Sequence, residues 1–344
     1  MTGAPVFLAH PSSLQHDTGY HPEQAARIVA IERELADRGW LGFERVESRP
    51  VERAALERIH PKPYIESIES AALSGGAQLD ADTAVSEGSF VAALHAAGGA
   101  VQLVELLLCG DAPSGFSCHR PPGHHALRGR AMGFCLFNNV AVAAQAAISE
   151  RGLERVLVLD WDVHHGNGTN DIFHSSRQVL YVSIHQSPLY PGTGPARDAG
   201  SGEGLGYTVN LPVPPGAGDE LFRSLVDHVV LPLALSYEPQ LVLISAGFDA
   251  HRDDPLAECT VTEEGFAALA ASMRRLGAEL GVPVGALLEG GYALGPLSRS
   301  VAATLEVLGS SGDGRAARES DSVPVAPLAR EALERLAQWW PGLS

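Results

Sequence analysis

The sequence predicts an α/β protein with a central parallel sheet and helices on both faces. Three observations lead there. Apolar runs of strand length are continuous, as at 156–160 and 241–246, which suits strands buried on both faces. Helical patterns separate these runs, as parallel crossovers require. The 344 residues are 45% hydrophobic and 19% charged, enough for a sizeable core with many loops.

In chain order, strands are expected at 6–9 (Val-Phe-Leu-Ala), 115–118, 156–160, 179–184, 207–211, 241–246 and 284–288. Helices are expected near 22–38, 51–59, 62–73, 88–109, 138–150, 219–236, 262–280 and 296–308. The most apolar stretch, 91–109, carries His95, Gly98, Gly99, Gln102 and Glu105, which fits a buried helix better than a membrane span. Gly281-Val282-Pro283 stops the helix before the strand at 284–288. Residues 1–310 read as one catalytic domain. Composition shifts at 310–324, so 311–344 reads as a connector and a terminal helix. Leu328, Ala332, Leu336 and Trp339 recur at helical spacing and should pack on the core. A homo-oligomer contact through Trp339 and Trp340 is the alternative.

The formal charge of −17 disfavours direct contact with nucleic acid and could favour a cationic substrate. Cys109, Cys118, Cys135 and Cys259 form no CxxC pair and read as reduced core residues of a cytoplasmic protein. The first six residues lack a charged region followed by an apolar one, so no secretory signal is expected.

Chemistry gathers where the strands end. His124 and His125 follow a Pro-Pro-Gly turn; Asp160, Asp162, His164 and His165 end the strand at 156–160; His185, Asp249 and Glu289 to Tyr292 end three others. Ligands of parallel sheets bind beyond the carboxyl ends of the strands, so five such endings point to one site. An extended backbone puts Asp160, Asp162 and His164 on one face. Carboxylate oxygens with imidazole nitrogen suit a divalent metal with open positions. If only part of that trio binds, Asp249 is the candidate for the remaining ligand. The adjacent histidines suit general acid–base work beside a metal. Tyr292, after Gly290-Gly291, could donate to an oxyanion.

These residues resemble a known family. Pro122-Gly123-His124-His125-Ala126, Gly133-Phe134-Cys135-Leu136-Phe137-Asn138-Asn139, Asp160-Trp161-Asp162-Val163-His164-His165-Gly166-Asn167-Gly168-Thr169, Ala246-Gly247-Phe248-Asp249 and Glu289-Gly290-Gly291-Tyr292 are similar, in order, to the motifs of zinc-dependent histone deacetylases. The Asp-Trp-Asp form resembles the class II branch and its bacterial relatives, including acetylpolyamine amidohydrolases. The resemblance implies the arginase/deacetylase fold, with a central parallel sheet of about eight strands between helices, and hydrolysis of an N-acetyl amide to acetate and a free amine. It implies one zinc ion on Asp162, His164 and Asp249, an acid–base pair in His124 and His125, and a carbonyl-polarising Tyr292. Asp160 would orient His124 and also help hold a structural potassium ion. The backbone carbonyls of Asp162, His164 and Ile184 and the Ser183 hydroxyl would complete that potassium site.

By the same resemblance Gly133, Phe134, Tyr190 and Leu256 fall on the acyl-lysine tunnel, and Arg27 resembles a buried arginine near an internal channel. Asn167 behind His125 is expected to lower the His125 pKa relative to an Asp there. His165 is expected to point away from the metal. Leu256 at the rim favours acetyl-lysine in proteins or peptides over a small acetylated amine such as an acetylpolyamine. Asp253, Asp254, Asp80 or Asp82 could still supply rim charge. A silent acetyl-lysine binder is disfavoured by the intact motifs, and a two-manganese hydrolase by the lack of a second carboxylate-rich motif.

Overall fold

A computed structural model describes residues 3–310 and 323–343. In chain order its strands are β1 (Val6–Ala9), β2 (Glu44–Glu47), β3 (Ala77–Gln78), β4 (Ala84–Val85), β5 (Ser114–Ser117), β6 (Val156–Asp160), β7 (Val179–Gln186), β8 (Thr208–Val213), β9 (Leu241–Ala246) and β10 (Val284–Leu288). Eight of them form one sheet in the order β2-β1-β5-β10-β9-β6-β7-β8, and β3 pairs with β4 in a small separate hairpin. Every pairing in the large sheet is parallel. The helices are α1 (Ala26–Asp37), α2 (Arg53–Glu57), α3 (Lys62–Leu73), α4 (Ser89–Leu108), α5 (Asn139–Arg151), α6 (Asn167–Phe173), α7 (Asp219–Leu225), α8 (Leu231–Tyr237), α9 (Glu263–Leu280), α10 (Leu294–Gly309) and α11 (Pro327–Leu336).

The continuous apolar strands serve two cores. In β6, Leu157 and Leu159 enter one cluster, while Val156 and Val158 enter the other. Alternate side chains of a strand point to opposite faces, so a strand covered twice must be apolar at every position. Helices α1 and α7 to α11 cover the first face; α2 to α6 cover the second. Helix α4 is long and apolar enough to cross a membrane by length and composition, but 67% of its apolar window is buried in the protein.

The β3–β4 hairpin is not among the expected strands, and three further elements depart from expectation. The edge strand β2 went unpredicted because its Glu-Arg-Val-Glu sequence is mostly exposed and charged. Such charges are how an edge strand avoids further pairing. Helix α6 starts inside the glycine-rich motif that reads as a loop. The single helix expected at 219–236 is broken by a π-helical turn at Val226–Val230. Pro232 sits in the first turn of α8 and lacks the N–H that a regular helix would use, and the wider turn absorbs that loss.

Cys118, Cys135 and Cys259 are buried, but Cys109 is exposed at the end of α4, contrary to the core reading. The connector expected at 310–324 lies largely outside the described residues. Beyond it, Ala329, Ala332 and Leu336 of α11 are buried in the first core. Trp340 donates from Nε1 to the Gly206 carbonyl at 2.9 Å and packs edge-on against Tyr207, so its own chain holds it.

Candidate active site

Strands β5, β10, β9 and β6 are consecutive neighbours, so the segments leaving their carboxyl ends share one patch at the sheet centre. Asp162 and His164 follow β6, and Asp249 follows β9. One ligand atom from each of these three buried residues lies within 4.8 Å of the others. The backbone aims them. Asp249 Oδ1 accepts from Val163 N at 2.9 Å, leaving Oδ2 3.0 Å from His164 Nδ1. Asp162 Oδ2 accepts from Gly290 N at 2.8 Å, leaving Oδ1 3.2 Å from the same nitrogen.

Two buried carboxylates this close are costly unless a cation lies among them. Burial raises the Asp249 pKa, and the neighbouring Asp162 charge adds to it. The donor set therefore fits a divalent metal, with two oxygens and one nitrogen converging and positions left open. Gly290 is required here: a Cβ on it would lie 2.0 Å from Asp249 Oδ2.

The two histidines leave β5 on the Pro-Pro-Gly turn. His124 Nδ1 is 3.0 Å from Asp160 Oδ2, and Tyr181 donates its hydroxyl to the same oxygen at 2.9 Å. His125 Nδ1 is 2.8 Å from Asn167 Oδ1. An amide oxygen can only accept, so Nδ1 carries the proton and Nε2 keeps a free lone pair. The rings lie 4.0 Å apart.

Their environments drive them in opposite directions. Burial opposes the charge on His124, but Asp162, Asp160 and Glu289 overcome it and hold its pKa well above the usual value. For His125, burial and the positive charges of His124 and His164 push the pKa well below it. Groups separated in this way are suited to distinct proton-transfer roles.

A cavity of about 220 Å³ opens over these groups, lined by Asp82, His125, Gly133, Phe134, His164, Leu189, Tyr190, Leu256 and Tyr292. Phe134 and Tyr292 meet edge to face at 5.7 Å, and Tyr190 meets the His125 ring at 5.2 Å. Gly133 adopts φ 56°, and a Cβ there would come within 2.4 Å of the His125 ring. Burial keeps the Tyr292 phenol protonated, with its pKa well above the usual value.

Residues 21–308 match the Histone deacetylase domain family. The chain belongs to the histone deacetylase family. A probable deacetylase of Archaeoglobus fulgidus is 38% identical over 296 residues, which span 84% of this chain and 81% of that protein. A histone deacetylase-like amidohydrolase of Pseudomonas aeruginosa is 41% identical over 226 residues, 65% of this chain and 60% of that one. The crystal structure of the HDA15 HD domain matches with a TM-score of 0.91 at 36% identity, covering 100% of this chain and 97% of that one. This likeness and the eight-stranded parallel sheet are those of the arginase/deacetylase fold. The names of these relatives place this histone deacetylase family member among enzymes acting on acetylated amides.

Of the expected residues, His164, His125, Tyr292, Gly133, Phe134, Tyr190 and Leu256 line one cavity, and Asp162, Asp249 and His124 cluster with His164. Asp160 lies beneath them, opposite Ser183 in the β6–β7 ladder, with Ile184 next along β7. His165 turns away, with Nδ1 2.7 Å from Thr193 Oγ1. Arg27, fully buried, donates to the carbonyls of Gly291 at 2.7 Å and Glu289 at 2.5 Å, bracing the Tyr292 loop from below. Of the acidic residues considered for the rim, Asp82 lines the cavity, whereas Asp254 is buried.

Three further residues hold this family member's site through contacts that sequence spacing does not reveal. Glu289 Oε2 accepts from the backbone N–H groups of Gly123 and His124 at 2.7 and 3.1 Å, fixing the histidine turn. Tyr181 holds Asp160, and Asp254 holds the Tyr292 loop. Glu289 stands in a motif as the acid ending an otherwise apolar strand and Asp254 is a rim-charge candidate, but Tyr181 is marked by neither pattern nor motif.

Proposed function

We propose that the chain is a zinc-dependent deacetylase that hydrolyses an N-acetyl amide, with acetyl-lysine in a protein or peptide as its substrate. The meeting of the Asp162–His164–Asp249 cluster, the paired histidines and Tyr292 at one cavity, which His164, His125 and Tyr292 line, carries this reading. A zinc ion held by the three ligands would supply Lewis acidity, polarising the acyl carbonyl and making water acidic near neutral pH. His125 Nε2 takes the proton from the attacking water, because its low pKa leaves the ring neutral. Tyr292 donates its hydroxyl to the developing oxyanion. His124 stays an imidazolium on Asp160 and steadies the negative charge that develops beside it. A proton returned from the histidine pair releases the amine, leaving acetate.

Phe134 and Tyr190 flank the cavity with apolar faces suited to a methylene chain, and Leu256 adds no charge to it. Asp82 supports the second reading, a small cationic acetylpolyamine, since this acidic residue is also part of the cavity lining. Turnover of an acetyl-lysine peptide, acetylputrescine and acetylspermidine under one condition decides between them. A higher kcat/KM for the peptide is expected, and a preference for acetylspermidine would overturn the substrate assignment.

The same reading includes a structural potassium ion on Asp160, the backbone carbonyls of Asp162, His164 and Ile184, and the Ser183 hydroxyl. Its support is the β6–β7 register that sets Asp160 beside Ser183. A higher melting temperature in KCl than in NaCl at equal ionic strength is expected. Identical melting would remove this ion from the account.

A further inference from the structure

We infer that Asp254 is a positioning residue that locks the backbone of Tyr292 to the rim loop carrying Leu256, so that one carboxylate sets the spacing between phenol and tunnel wall. This rests on the reading of Tyr292 as the carbonyl donor. Asp254 is 7% exposed and lies five residues beyond Asp249 on the loop leaving β9. Its Oδ2 accepts from Tyr292 N at 2.7 Å and from Ala293 N at 3.3 Å. Its Oδ1 accepts from Leu256 N at 3.0 Å. Both oxygens are thus spent on backbone N–H groups of two separate segments that line the same cavity.

The loop around Asp254 is itself fixed. Asp254 N donates to the His251 carbonyl at 2.9 Å, and Asp253 N donates to His251 Nδ1 at 3.1 Å. Arg252 N donates to the Val261 carbonyl and Val261 N to the Ala250 carbonyl, at 3.0 Å each. A rigid loop holding a buried carboxylate is the way to impose geometry on a segment that has little of its own. Gly290 and Gly291 precede Tyr292, and Gly291 adopts φ 117°, open to glycine but strained for other residues. Without the carboxylate, the Tyr292 and Ala293 N–H groups lose this acceptor, while the bonds that remain just before them are those of Arg27 to the Glu289 and Gly291 carbonyls, of Gly290 N to Asp162 and of Phe248 N to the Gly290 carbonyl. Misplacing a catalytic group by about 1 Å is enough to cost about a hundredfold in rate.

The test pairs amide hydrogen exchange with a double-mutant cycle. In D254A, and in the near-isosteric D254N should D254A fail to fold, exchange at the Tyr292 and Ala293 amides should quicken by about tenfold or more. This readout needs no turnover, so it stands even if the deacetylase reading fails. In the wild-type background, D254A should lower kcat by about tenfold or more, with KM changing less. In the Y292F background the same substitution should change kcat by less than about twofold, because the phenol it positions is gone. D254N, which keeps one acceptor oxygen, should fall between wild type and D254A. Unchanged exchange at these amides would overturn the inference, as would an equal loss of kcat in both backgrounds.

Discussion

Replacing Tyr292 by Phe removes one oxygen from the cavity and changes little else. The Phe134 edge contact at 5.7 Å and the Arg27 guanidinium 4.9 Å above the ring involve the ring, which Phe keeps. The backbone N–H still reaches Asp254, and the metal ligands are untouched. What is lost is a neutral donor, held protonated by burial, facing the place where negative charge develops. One such donor is worth about 3 kcal/mol in the transition state, roughly a hundredfold in kcat. KM should move little, because the ground-state carbonyl carries far less charge. The assay is acetate release at saturating substrate, beside zinc analysis and thermal melting of the same preparation. The expected variant is folded, loaded with zinc and slower by about two orders of magnitude. A zinc-loaded Y292F within about twofold of wild type would refute the assignment of the phenol.

Asp162→Asn and Asp249→Asn should each purify with little zinc by elemental analysis, since each removes a charged ligand from the three-residue set; full occupancy in both would refute that set. Asn167→Asp would place a carboxylate where an amide oxygen now lies 2.8 Å from His125 Nδ1. An anion there stabilises the imidazolium, so the acidic limb of the kcat/KM profile should move to higher pH; an unmoved limb would contradict His125 as the base. Acid stability should depend on His60, whose pKa burial lowers to about 4. Its Nε2 accepts from Asn138 N at 2.9 Å, a bond that protonation would destroy. The unfolded chain binds this proton below about pH 6.5 and the folded chain only near 4, so stability is full above 6.5 and falls between the two. At pH 5 this amounts to about 2 kcal/mol. His60→Gln, read by urea melts at pH 7 and pH 5, should lose less stability on acidification than wild type; an equal loss would contradict this origin.

The central site was legible because its residues are constrained locally. Asp162 and His164 must sit two apart on one strand end, and Asp249 must end a neighbouring strand, so each left an ionisable residue where an apolar run stops. What was not legible acts across the sequence. Asp254 meets Tyr292 through a bond 38 residues distant in the chain, and Glu289 reaches His124 over 165. Glu289 ends an apolar strand, yet neither bond has a local pattern to announce it, because the partner in each case is a backbone N–H that any residue could supply. The edge strand β2 escaped for the opposite reason. Its charged residues serve to end the sheet, so they resemble a loop. The contact of Trp340 is likewise non-local: its indole N–H donates to the Gly206 carbonyl of its own chain, which sequence spacing does not reveal.

The most direct test of the account is a zinc titration of metal-stripped protein, reading acetate release from an acetyl-lysine peptide. One set of Asp162, His164 and Asp249 predicts that activity is absent in the stripped protein and rises linearly to a plateau at one zinc per chain. Full activity without metal, or a plateau reached only at two equivalents, would contradict it.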